Sequence, residues 1–149
     1  DYTKDVEHTI ETKRINLRWF PVYAEDVLEN MNSMELEDYA IGQRFRLLCY
    51  AWRNDGKLPD NPDMLARIAF AGDIELFKKN LRRILYDFRV VTEGRGRGAR
   101  TYWVHEEMRE RALATKTEYR RLQKEKAKLA KERDRAFAAA QSAKIGRAA

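Results

Sequence analysis

"AGDIELFKKNLRRILYDFRVVTEGRGRGARTYWV", Ala71 to Val104, changes its hydrophobic period part-way along, and that change decides the fold. In the first half Ile74, Phe77, Leu81, Ile84, Leu85 and Phe88 recur at helical steps, behind an Asp73 placed to cap the helix. In the second half two strand-like runs, Phe88–Thr92 and Arg100–His105, flank a loop in which Gly and Arg alternate. The loop admits four readings: a tight turn, a phosphate cradle, a flexible RNA-binding tract, or an arginine-bearing tip that enters a DNA groove.

Upstream, a short helix is expected from about Pro62, capped by Asp60 or Asn61 and carrying Leu65, Ile68 and Phe70. "AGD" breaks it after Phe70. "RNDGKLPDNP" (53–62) reads as a turn and a short extended link, because Asp55-Gly56 is a strong turn signal. Before it, Ser33 is placed to cap a helix with Glu35 and Glu37 in its first turn. Ile41, Phe45, Leu48 and Trp52 form that helix's expected buried stripe. Around Pro21, "INLRWFPVYAEDVL" begins extended, and Ala24–Asn30 suits a short helix.

Helix, link, helix, turn, helix and hairpin is the element order of a winged helix. The expected fold is therefore mainly α with a small β-hairpin: a winged helix-turn-helix followed by a long basic C-terminal helix. Residues 1–16 are expected to form a flexible arm, 17–106 the winged-helix domain, and 107–149 the long helix and a frayed tail. From about Glu106 to Ala140 no Gly or Pro interrupts an Ala, Glu, Lys, Arg and Leu sequence.

The composition narrows the classes. Apolar residues make up 44% of the 149, enough for one core, and 36% are charged, which calls for long solvated faces. No apolar run approaches the ~20 residues that span a bilayer, so no membrane partner is expected. No signal peptide is visible, although the chain opens at Asp1 rather than Met, which leaves room for residues upstream. With Cys49 alone there is no internal disulfide, and a reducing bacterial cytoplasm is the expected location. The net charge of +6 is uneven. Residues 1–32 are acidic and 33–87 balanced, whereas 88–104 hold four basic residues against one acidic. Residues 105–149 hold thirteen basic against seven acidic. A basic region beside a neutral core is the footprint of a nucleic-acid binder, and equally of a solubilising helix face.

Catalytic patterns are weak. "HEEMR" (105–109) starts like the zinc-protease H-E-x-x-H, but Arg109 stands where the second His is required. A His and two Glu at a helix start explain it better. Cys49 lies in an apolar stripe without a His partner and reads as a buried structural thiol. Asp60 and Asp63 read as helix-capping residues rather than as paired catalytic carboxylates. "GRGRGAR" lacks the spacing of a P-loop. No enzyme activity, cofactor or metal is expected.

Binding patterns are stronger. Lys78, Lys79, Arg82 and Arg83 fall on one face of the third helix, away from Phe77, Leu81 and Ile84. A second helix of a helix-turn-helix unit with outward cations suits the major groove or its flanking phosphates; the bland reading is a solvated face. In the loop, glycines permit positive φ and free Arg95, Arg97 and the neighbouring Arg100 to meet phosphates or a narrow minor groove. The long helix adds Arg120, Arg121 and Lys124. Its seven-residue recurrence of Met108, Thr115, Leu122, Leu129 and Ala136 is paired with polar Tyr119, Lys126 and Arg133, which supports a coiled coil only weakly.

"WFPVYAEDVLENMNSMELEDYAIGQRFRLLCYAW" resembles the start of the YdaU-like family of phage and prophage proteins. The resemblance rests on Trp19, Phe20, Tyr23, Asp26 and Leu28, then Leu47, Leu48, Cys49 and Trp52. It continues through "GKLPDNPDMLARIA" and through Trp103 with Glu106 and Glu107, covering about residues 17–112. Two departures stand out: Val27 replaces the family's usual Phe, and Gly94–Ala99 replaces a compact D-G turn. The resemblance implies a winged-helix-like domain on a mobile element, in the neighbourhood of phage replication initiation, with no catalytic residues. It also casts Trp19, Tyr23, Cys49 and Trp52 as core.

The expectation is a double-stranded-DNA-binding module for replication initiation or transcriptional control, associated with the bacterial nucleoid. Phage or host replication proteins and a homodimer through the C-terminal helix are the further partners considered. The alternatives are an adaptor that docks a helicase, loader or polymerase, and an RNA binder.

Overall fold

The structure is a computed structural model and describes residues 18–148. The expected arm at 1–16 lies outside the described residues. The chain divides into two compact units, Asp1–Leu113 and Ala114–Ala149.

In the first unit, residues 18–23 have no regular structure and lead into a helical segment at 24–33, π-helical over Asp26–Asn30. Three helices and three strands follow: α1 (Asp38–Arg53), β1 (Lys57–Pro59), α2 (Pro62–Ile68), α3 (Ile74–Ile84), β2 (Arg89–Glu93) and β3 (Arg100–Val104). β3 lies in the middle of an antiparallel sheet of order β1-β3-β2. Leu58 faces Trp103 in one ladder and Val90 faces Trp103 in the other. This is the winged-helix order, with β2 and β3 as the wing. α4 (Glu106–Ala148, 43 residues) starts at the end of β3.

Local chemistry accounts for several boundaries. Asn61 accepts from the Met64 N–H and Asp73 from the Leu76 N–H, each satisfying a free donor at a helix start. Pro62 occupies the first helical position, where its missing N–H costs nothing. Asp55 and Gly56 both take positive φ and turn the chain into β1. At Gly56 only glycine fits, because a Cβ would lie 2.7 Å from the Arg109 backbone nitrogen. His105 caps α4 by accepting the Met108 N–H on Nδ1 at 3.1 Å, and Glu106 and Glu107 follow in the favourable first turn.

Several expectations are corrected. Ser33 caps nothing: its hydroxyl donates to the Glu29 carbonyl at the end of the preceding helical segment, and α1 begins at Asp38. The buried stripe of α1 is rotated, running through Ala40, Arg44, Leu47, Leu48, Ala51 and Trp52, with Ile41 and Phe45 at its margin. That rotation turns Cys49 outward, so it is an exposed thiol and not a core one. Trp19 and Tyr23 are also exposed, at 62% and 53%; of the four expected core residues only Trp52 is buried. Ile74 lies in the exposed first turn of α3, while Phe77, Leu81, Ile84, Leu85 and Phe88 are buried as expected. The extended link is a third strand, β1, which ends at Pro59 on the sheet edge, where a missing donor is tolerated.

Phe70 lies beyond α2 rather than on it. The Ala71 N–H reaches the Ala66 carbonyl at 2.9 Å and the Phe70 N–H reaches the Arg67 carbonyl at 3.1 Å. This is a Schellman ending, with Phe70 at the residue that turns left-handed, φ +56°. A non-glycine residue there costs about 1–2 kcal/mol.

The core also holds a charge. Arg44 is fully buried. Its Nη1 donates at 2.8 Å to both the Ile84 carbonyl and Asp87 Oδ1, and its Nη2 donates at 2.8 Å to Asp87 Oδ2 and at 3.4 Å to Asp26 Oδ2. The Tyr86 ring lies 4.3 Å beneath the guanidinium, and the Tyr86 hydroxyl bonds Asp26. His105 Nε2 bonds Asp87 Oδ2 at 2.9 Å. Burial works against the Asp87 carboxylate, but the bonds from His105 and Arg44 and the Arg44 charge outweigh it and hold its pKa well below the usual range. For Tyr86 burial acts first, then the bond to Asp26, and the phenol is pushed up. Four pieces of chain meet here: the π-helical segment, α1, the end of α3, and the junction of β3 with α4.

Candidate nucleic-acid interface

Lys78, Lys79, Arg82 and Arg83 do not form one free cluster. Lys78 Nζ lies 2.9 Å from Asp63, on the first turn of α2, and 3.8 Å from Glu75. The bond between Lys78 and Asp63 raises the lysine pKa and lowers that of the carboxylate. Arg83 is tied back to Asn80 Oδ1 at 2.5 Å and to the Glu35 carbonyl at 3.4 Å. Asn80 is itself buried and donates to the Tyr39 hydroxyl. Lys79 and Arg82 are exposed, and their side chains make no ion pair, hydrogen bond or ring contact among the described residues. The outward charge of α3 is thus concentrated in two of its four cations.

The wing has the opposite character. Its strands pair from Arg89 with Val104 to Glu93 with Arg100, and the threonine hydroxyls of the Thr92–Thr101 pair meet at 3.1 Å. Glu93, at the base of the loop, accepts from Lys57 at 2.6 Å and from Arg109 at 3.4 Å, which holds its pKa down. Trp103 Nε1 donates to Asp60 at 3.1 Å. Above this braced base the loop is a single 3-10 turn, Gly96–Gly98, closed by the Ala99 N–H on the Gly96 carbonyl. Gly94 and Gly96 have φ of +89° and +60°, and a Cβ at Gly94 would press on the Gly98 carbonyl oxygen at 3.0 Å. The glycines make this turn possible, and the residues between them are left to carry charge. Arg95, Arg97 and Arg100 are all exposed, and their side chains are also without a partner among the described residues.

In the second unit, Arg121 is bracketed by Glu118 at 2.6 Å and Glu125 at 3.5 Å, while Arg120 and Lys124 are exposed. Leu122, Leu129, Phe137 and Ile145 are exposed apolar residues of the same helix.

The first unit also has a cleft of about 600 Å³ beside Arg44, lined by residues that include Phe20, Tyr23, Trp52, Asp87, His105 and Met108. Both His105 nitrogens are engaged, one by the helix cap and one by Asp87, and Asp87 is held by Arg44. The pair therefore braces the fold. Among the described residues no group of His, Cys, Asp or Glu has metal-holding geometry, and no helix is long and apolar enough to cross a membrane.

Compared with protein families, curated proteins and solved structures, the chain matches none. The YdaU-like resemblance therefore rests on the residues quoted for it alone.

Proposed function

We propose that the chain is a non-enzymatic, winged-helix binder of double-stranded DNA, belonging to a phage or other mobile element and acting in replication initiation or transcriptional control in the bacterial cytoplasm. One observation carries the proposal: the five cations Lys79, Arg82, Arg95, Arg97 and Arg100 are exposed without partners among the described residues, on the two elements that a winged helix presents to DNA. Their neighbours Lys57, Lys78, Arg89 and Arg109 are paired with carboxylates. In this reading Lys79 and Arg82 contact phosphates flanking the major groove, and the wing arginines reach the adjacent backbone or minor groove. Arg120 and Lys124, exposed in the second unit, are further phosphate contacts in this reading, whereas Lys78, Arg83 and Arg121 are each tied to partners within their own unit.

Binding of a labelled duplex over a salt series tests it. Exchange of both Lys79 and Arg82 for Ala is expected to reduce the slope of log K against log salt by about two units. An unchanged slope removes α3 from the interface, and no retained duplex at low salt removes the whole reading.

A second reading draws on Leu122, Leu129 and Phe137, exposed on α4. An adaptor that docks a helicase, loader or polymerase, or a homodimer through this helix, would cover them. Mass in solution and duplex binding by the same sample separate the two readings.

A further inference from the structure

The helix-turn-helix corner presents a side chain that the fold does not use. Phe70 holds the left-handed position of a Schellman ending, where glycine is the favoured residue. Phe70 is 83% exposed, so burial does not offset the strain. The ring has one fixed neighbour. The Arg46 guanidinium lies 5.4 Å from its centroid, and Arg46 Nε is fixed by a 3.0 Å bond to the Ile68 carbonyl. Ile74 and Leu76, in the first turn of α3, are exposed next along the chain, followed by Lys79 and Arg82. A strained residue kept in the open is the pattern of a ligand-contacting position.

We propose that Phe70, braced by Arg46, reads a thymine: its ring packs on the thymine 5-methyl group in the major groove, where the first turn of α3 enters. This rests on the duplex-DNA reading above. Thymine follows from the chemistry of the groove. A phenyl ring has no donor or acceptor to offer a base edge, and the thymine methyl is the apolar group displayed there. Lys79 and Arg82 on the same helix supply the phosphate contacts that position the duplex but do not specify its sequence. A second copy of the chain fits the same corner less well, because a self-complementary contact there brings the unpaired cations of both copies together.

The test uses duplexes selected by the full chain from a random pool. Thymines in the selected site are replaced one at a time by deoxyuridine, which removes only the methyl group. At one position the wild-type protein is expected to lose about fourfold in affinity, as for one buried methyl. Phe70→Gly is expected to bind the thymine duplex more weakly by at least that factor and to lose discrimination between thymine and deoxyuridine. Its melting temperature should be equal or higher, since glycine suits the backbone there. A Phe70→Gly protein that keeps the wild-type discrimination overturns the assignment while leaving the DNA reading intact. A selected site without thymine does the same. Unchanged DNA binding with an altered mass in solution makes the ring a self-association contact and overturns it too. If the wild-type chain retains no duplex, the DNA reading fails first and takes this contact with it.

Discussion

Arg44 and Arg97 carry the same guanidinium and are used in opposite ways. Arg44 is buried over a tyrosine ring, with its two Nη atoms bonded to two carboxylates and a backbone carbonyl. Arg97 sits in a glycine-framed turn and bonds to nothing among the described residues. The difference lies in the surroundings. Arg44 itself is fully buried, and the chain supplies the half-buried Asp26 and Asp87 beside it, because an unpaired charge there would be costly. Around Arg97 it supplies glycines and no acid, and the acid nearest in sequence, Glu93, is taken by Lys57 and Arg109. A buried guanidinium with both Nη atoms bonded holds the fold together. An open, unsaturated one is available to a partner.

Three experiments can break or sharpen that contrast, ordered by their expected effect on stability. The largest is at Arg44. Arg44→Met leaves Asp87 without its bidentate partner and is expected to destabilise the protein by about 3–5 kcal/mol, read from urea unfolding. A loss below about 1 kcal/mol would mean that the clamp is incidental.

The second effect is acid-dependent. The folded-state pKa of Asp87 is depressed, so it takes up its proton more readily when the chain unfolds. Its contribution is complete above the unfolded carboxylate pKa of about 4 and is lost as pH falls from there towards the folded value. Stability should therefore decline below about pH 4 in the wild type, and the decline should be shallower in Asp87→Asn, which starts from a lower plateau. Parallel pH curves for the two proteins would remove Asp87 as the linked group.

The smallest effect on stability is expected at the wing. Replacing Arg95, Arg97 and Arg100 by Ala together should leave unfolding within about 0.5 kcal/mol of wild type. The same variant should reduce the salt slope of duplex binding by about three units. A large fall in stability would show that the wing arginines support the fold and are not held in reserve.

The wing and the third helix were legible in the sequence because their cues are local. Glycine spacing, an Asp cap and a three-to-four-residue apolar step all lie within a few residues of what they determine. Arg44 was not legible: in "GQRFRLL" it stands beside Arg46, and only the folded chain shows which of the two faces inward. The same limit hid the ties of Lys78 and Arg83, whose partners Asp63 and Glu35 lie on other segments. In the sequence β1 shows only as a link, because three residues ending in proline cannot show an alternation. Cys49 was misplaced by the one-residue rotation of the α1 stripe, since a helical period fixes spacing better than phase.

β1 also sets an order of assembly. The β2–β3 ladder needs only the short Gly94–Ala99 loop to close. β1 meets β3 only after the whole of α2 and α3 has been brought between them. Closing the longer loop costs more entropy, so the helices and the hairpin can pair before β1 docks. β1 is then expected to join last and to open first. Its amide protons should exchange with solvent ahead of those in β3, and a chain caught in that state would show a bare sheet edge with Trp103 unbonded beside it.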